Sequence, residues 1–239
     1  MKTTLPSISA PVYRDSLPST NKEFTYRPFL VREEKLLQLI KDDDNVQQIY
    51  DSLQQLIKNC TGLDVNSLSV FDMEYIFLRL RQKSVGEIIE LRMRHVDPDT
   101  DCDHVQDVQM DLNKIEVIRD ENHNKTIELD SDRNLKLEMN YPKYQDILKL
   151  QTSQEFDTIL QVLINCTSMI IDGQQVYETK DFSETELQDF FLQFNLDYIE
   201  KVKEFFNTMP KICYNLEWTC SKCGKKESHL IEGVQNFLS

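Results

Sequence analysis

Two cysteines separated by two residues, Cys220-Ser221-Lys222-Cys223, with Gly224 directly behind them, are the residues here best suited to chemistry. Thiolates at that spacing on a tight turn point their sulfurs at one tetrahedral ion. A structural zinc needs four ligands, and this pair supplies two. Cys213 lies seven residues before Cys220, an odd offset that puts it on the opposite face of a continuous strand and makes it a poor third ligand. The better completion lies upstream. Residues 92–108, RMRHVDPDTDCDHVQDV, share the plan of residues 214–230, YNLEWTCSKCGKKESHL: strand, polar turn with ligand-type residues, strand. His95, Cys102 and His104 sit close together there. Cys102 and His104 would close a Cys3His zinc site with Cys220 and Cys223. The alternative is a reduced pair of thiols in a β-turn. A redox CxxC typically opens a helix after a strand, whereas Gly224 and its charged neighbours lead to another strand, so a thiol oxidoreductase ranks low.

Other chemistry finds less support. Asp97, Asp99, Asp101 and Asp103 alternate like the start of a calcium loop, but Cys102 stands where the tight turn needs Gly and Val108 where the closing Glu belongs. Asp42-Asp43-Asp44 reads as the solvated start of a helix. There is no Gly-rich phosphate loop, nucleophile elbow or HExxH, so the expectation is a protein that is not an enzyme. The net charge is −14, which repels phosphate backbones, and Lys222, Lys225 and Lys226 make only a small basic patch. A zinc-ribbon nucleic-acid binder therefore ranks second. Residues 1–41 lack a basic-then-apolar signal pattern, and no apolar run reaches membrane-spanning length; a soluble cytoplasmic protein is expected. The six cysteines then read as thiols or metal ligands rather than a disulfide framework.

The elements that must carry these residues follow from hydrophobic spacing. Val70, Met73, Phe77 and Leu80 recur at helical intervals, and Phe71, Ile76 and Leu78 fill the flanks, which predicts a buried helix. Gly86 breaks it, and Val85, Ile88, Ile89 and Leu91 enter the same core as a strand. Val46, Ile49, Leu53, Leu56 and Ile57 mark an amphipathic helix that stops at Gly62. Residues 91–137 alternate in character and predict antiparallel strands with one wet face. Pro142 opens a helix to about residue 150, and Phe156, Ile159, Leu160 and Leu163 mark the next. Asp172-Gly173 predicts a hairpin, and Ser183-x-x-Glu186 a capping box. Aromatics at helical spacing from Phe190 to Phe206 read as core. Residues 212–218 and 229–231 are strands around the cysteine turn.

The fold class expected is α+β: helical layers packed on a small antiparallel sheet, with a zinc-ribbon-like β-knuckle at the C-terminus. Residues 1–32, with prolines at 6, 11, 18 and 28, form an extended arm that either lies along a partner or hangs loose. Residues 33–239 form a single body, helical over 33–84, β-rich over 85–140, helical over 141–209 and a β-knuckle from 210.

LPSxxKxFxYRPFLVREEK from Leu17, SVFDMEYIFLRLRQKSVGEIIEL from Ser69, and a late CSKCG followed by Gly-x-x-x-Phe occur in that order. With these segments the chain resembles, over almost its whole length, the baseplate hub subunit and hub-assembly proteins of T-even-like contractile-tailed bacteriophages. The resemblance implies a late viral protein that helps build the central hub of the tail baseplate, as hub component or assembly factor. Its partners would be other baseplate hub proteins, met in the host cytoplasm during assembly. Staying in the hub would place it in the virion tail baseplate.

Overall fold

The computed structural model describes residues 8–42, 46–146 and 156–232. It is α+β, with its strands in small sheets whose registered pairs are antiparallel. The chain gathers into two compact units. Unit 1 takes residues up to Val65, Phe71–Val117 and the chain from Ile212 onward; unit 2 takes Asn66–Val70 and Ile118–Lys211. The sequence reading treats 33–239 as one body. The difference arises because residues 118–211 close a core of their own around a four-stranded sheet.

Unit 1 opens with a hairpin, β1 (Tyr13–Ser16) against β2 (Glu23–Tyr26). Pro11 precedes β1 and Pro18 sits in the turn, positions a two-stranded ribbon tolerates. So the expected extended arm is a folded hairpin from Tyr13, with Leu17, Phe24 and Tyr26 buried. Helices α1 (Val31–Asp42), α2 (Val46–Thr61) and α3 (Val70–Ser84) follow. The buried face of α2 is Leu53, Leu56 and Ile57, and Gly62, at φ 74°, ends the helix by donating its N–H to the Lys58 carbonyl at 2.8 Å. Residues 43 and 44 of the acidic run lie outside the described residues.

α3 buries Phe71, Met73, Ile76, Phe77, Leu78 and Leu80, which is most of its circumference. It also holds the hairpin. Asp15 pairs with Arg79 at 3.1 Å and accepts from the Tyr75 hydroxyl at 3.1 Å, and Asp72 accepts the Ser19 N–H at 2.9 Å. Next come two ten-residue strands, β3 (Ile88–Asp97) and β4 (Cys102–Asp111), paired along their whole length, and then the short β5 (Glu116–Ile118).

Unit 2 has strands β6 (Thr126–Asp130) and β7 (Leu135–Met139), helix α4 (Phe156–Cys166) and strands β8 (Thr167–Asp172) and β9 (Gln175–Glu178). Helices α5 (Glu184–Phe191) and α6 (Leu196–Thr208) complete it. The sheet runs β6-β7-β8-β9, and its core gathers Leu129, Leu137, Met139, Leu163, Phe191 and Phe205. The hairpin at Gly173 and the Ser183–Glu186 capping box are both present. Of the helix expected from Pro142 to about residue 150, residues 144–146 are helical, and the rest lies outside the described residues.

The chain then returns to unit 1 as β10 (Lys211–Thr219) and β11 (Lys226–Glu232), in a sheet of order β11-β10-β5. The pairing Thr219↔Lys226 leaves residues 220–225 as the turn that carries the CxxC.

Candidate metal centre

Two hairpin ends of unit 1 meet at this turn. On β3, Ile89, Leu91, Met93, His95 and Asp97 lie on the inward side, while Glu90, Arg92, Arg94 and Val96 are exposed. The β3–β4 connection is a single 3-10 turn, Pro98–Thr100. Asp97 closes it by accepting from the Asp99 N–H at 3.1 Å and the Thr100 hydroxyl at 3.0 Å. The alternating run of aspartates thus begins as a turn cap. Asp97 faces Cys102 across the ladder, and His95 faces His104.

The CxxC turn is folded by its own backbone. Cys220 receives the Gly224 N–H on its carbonyl at 2.8 Å and donates its own N–H to the Lys225 carbonyl at 2.8 Å. Gly224 sits at φ 78°, a left-handed conformation in which a side chain is strained. Gln106 of β4 clamps the turn from outside, donating to the Thr219 carbonyl at 3.0 Å and accepting the Ser221 N–H at 2.7 Å.

One atom each from His95, Cys102, Cys220 and Cys223 then falls within 4.8 Å of all the others, a group that could hold a metal ion. The Cys102 and Cys220 sulfurs are 3.8 Å apart, and the Cys223 sulfur lies 3.3 Å from His95 Nε2. Three of the four residues are buried, and Cys223 is half-buried. Around them, His95 Nδ1 is 2.9 Å from a Glu227 carboxylate oxygen, Trp218 meets the His95 ring edge-on, and Lys225 pairs with Asp97 at 3.2 Å.

Of the four residues the sequence suggested as ligands, Cys102, Cys220 and Cys223 are in this group. His104 is not: it is half-buried, and its Nε2 lies 2.9 Å from the Ser221 hydroxyl. The residue in its place is His95. The signal for it was in the sequence, because alternation from Ile89 carries His95 to the inward face.

The thiols differ by environment. Burial, then the neighbouring thiols of Cys223 and Cys220, push Cys102 up to about 11. Burial opposes ionisation of Cys220 too, yet the backbone N–H groups of Cys223 and Lys222 bring it below the ordinary thiol value. Cys60 and Cys166, away from the group, are simply buried, which pushes them up to about 11 and about 12. Cys213 lies beside Glu232, at the far end of the β10–β11 ladder.

Unit 2 holds a cleft of about 340 Å³ walled by residues such as Leu135, Ile170, Tyr177 and Phe190. No His, Cys, Ser or Lys lines it, and its Arg133 and Asp172 are already paired through two contacts of 2.8 and 2.6 Å. Among the described residues, no helix is long and apolar enough to cross a membrane.

The described residues thus make an α+β protein that carries a mostly buried Cys/His group. In comparison with known proteins, residues 10–239 match the family model described as T4 bacteriophage base plate protein, and the chain belongs to that family. It is similar to the baseplate hub assembly protein gp26 of Enterobacteria phage T4, with 21% identity over 226 residues that cover 95% of this chain and 97% of the relative. No solved structure matches the chain significantly.

Proposed function

We propose that this protein works without catalysing a reaction, in assembly of the central hub of a phage tail baseplate, by binding other hub proteins. It does so in the host cytoplasm while the baseplate is built, as a hub component or as an assembly factor. One observation carries the reading: the similarity to the T4 hub assembly protein runs end to end through both chains. A shared module would leave long unmatched segments; a shared whole-chain plan supports a shared role. The Cys/His group fits the same reading. A zinc ion held there by four protein ligands would fasten two hairpins.

The test is co-expression with the other hub proteins of the same phage, followed by purification through a tag on this chain. Recovery of a stoichiometric or transient hub complex is expected, together with failure of hub formation in a phage lacking the gene. Normal baseplates in that phage would overturn the proposal. So would saturable DNA binding at physiological salt, which would favour the nucleic-acid reading.

A further inference from the structure

The geometry points to a Cys3His zinc centre in unit 1 whose fourth ligand is His95 through Nε2, oriented by Glu227, with Cys102, Cys220 and Cys223 as the thiolates. It goes beyond the hub-assembly reading and stands independently of it.

Distances come first. Four tetrahedral ligands with Zn–S near 2.3 Å and Zn–N near 2.1 Å place two sulfurs about 3.8 Å apart and a sulfur about 3.6 Å from the nitrogen. The Cys102–Cys220 separation is 3.8 Å, and Cys223 to His95 Nε2 is 3.3 Å. Sulfurs 3.8 Å apart are not bonded to each other, and all the cysteines in the group are free.

The imidazole is set up as a ligand. A metal-bound histidine nearly always donates its second N–H to a carboxylate, carbonyl or water, which fixes the tautomer. Here Nδ1 lies 2.9 Å from Glu227, so an Nδ1–H donated to the carboxylate leaves the Nε2 lone pair facing the sulfurs. His104, directly across the ladder, has no such carboxylate and is engaged by Ser221.

The donor set then chooses the ion. Thiolates with one imidazole suit zinc and exclude calcium and magnesium, which take oxygen ligands. Burial of His95, Cys102 and Cys220 closes the site, as in structural rather than catalytic zinc centres. The ion would tie the end of the β3–β4 hairpin to the β10–β11 turn, joining residues 118 apart in sequence.

The experiment uses the full-length chain produced in zinc-supplemented medium. Elemental analysis should find one zinc per chain, released by a thiol-binding mercurial. Cobalt(II) exchanged into the site should give the charge-transfer and d–d bands of a tetrahedral centre with three thiolates. His104→Ala should retain zinc and the wild-type cobalt spectrum. Glu227→Gln, on a more exposed residue, should retain the fold and bind zinc about 10–100-fold more weakly. His95→Ala should lose zinc to a chelator that the wild type withstands. If His95→Ala does not fold, the Glu227→Gln and His104→Ala pair decides the assignment. A folded wild-type chain without zinc, iron in its place, or zinc lost in His104→Ala and unaffected in Glu227→Gln would each overturn the proposal. Because the readout is metal content, failure here is distinct from failure of hub binding.

Discussion

Arg27 grips Glu33 with both arms of its guanidinium, Nη1 to Oε2 at 3.2 Å and Nη2 to Oε1 at 3.0 Å. The same guanidinium donates to the Asn59 carbonyl at 3.0 Å, and the Arg27 N–H donates to the Cys60 carbonyl at 3.1 Å. Both carbonyls belong to the last turn of α2, where a helix has no partners of its own for them. The pair therefore joins the start of α1 to the end of α2. Glu33 is fully buried and also accepts from Arg32 Nε at 2.7 Å and the Leu30 N–H at 2.8 Å.

That arrangement predicts a dependence on acid. Burial raises the Glu33 pKa, but hydrogen bonds from Arg27 and Arg32 outweigh it and hold the carboxyl at about 2. An unfolded glutamate titrates near about 4.3. Between those values the unfolded chain binds the extra proton, so the contribution is complete above about pH 4.3 and is lost as pH falls toward 2. Glu33→Ala should cost about 3–5 kcal/mol at pH 7, because it leaves Arg27 without its partner. Urea titrations of wild type and variant at pH 7 and pH 3 should show that difference shrinking at the lower pH. A constant difference would contradict the linkage.

Truncating the middle of α3 tests the core of unit 1. Phe77 and Leu80 are almost wholly buried. Phe77→Ala should cost about 3–5 kcal/mol and Leu80→Ala about 2–5 kcal/mol. Equilibrium unfolding of each variant measures this directly, and unchanged midpoints would mean the helix does not lie in the core.

The start of α5 tests unit 2. The Ser183 hydroxyl accepts from the Glu186 N–H at 3.4 Å, while the Glu186 carboxylate accepts the Ser183 N–H at 2.8 Å. Ser183→Ala should cost about 0.5–2 kcal/mol. Amide hydrogen exchange should accelerate first at residues 184–187, and no acceleration there would rule the cap out as a stabilising contact.

The hairpin between β8 and β9 turns on Gly173, at φ 62°. An added Cβ meets nothing within 4 Å, so Gly173→Ala isolates backbone strain from crowding. The left-handed conformation should cost about 1–2 kcal/mol, seen as a lower unfolding midpoint. An unchanged midpoint would mean that the turn readjusts without strain.

Much of this fold was legible because side-chain period and turn chemistry agree. The buried α3 followed from Val70, Met73, Phe77 and Leu80, and the strands around the CxxC from residues 212–218 and 229–231. Two things were not legible. The likeness of residues 92–108 to residues 214–230 points to Cys102 and His104 as a pair and does not single out His95. The ladder places both histidines opposite each other, and only contacts from the distant β10–β11 hairpin, Ser221 of its turn to one and Glu227 of β11 to the other, separate them. The two-unit organisation was also hidden. The chain passes from β5 at Ile118 into unit 2 without a glycine or proline linker, so composition gives no boundary. The proline-rich start misleads in another way, since Pro11 stands before a short ribbon and Pro18 in its turn, and neither prevents it.

Unit 2 lies within the sequence of unit 1, whose last strands, β10 and β11, are made only after residues 118–211. During synthesis unit 2 is therefore complete in sequence while unit 1 still waits for the hairpin that carries Cys213, Cys220 and Cys223. Unit 1 is finished last, and a chain that stalls between residues 211 and 232 has a whole second unit attached to an unfinished first one.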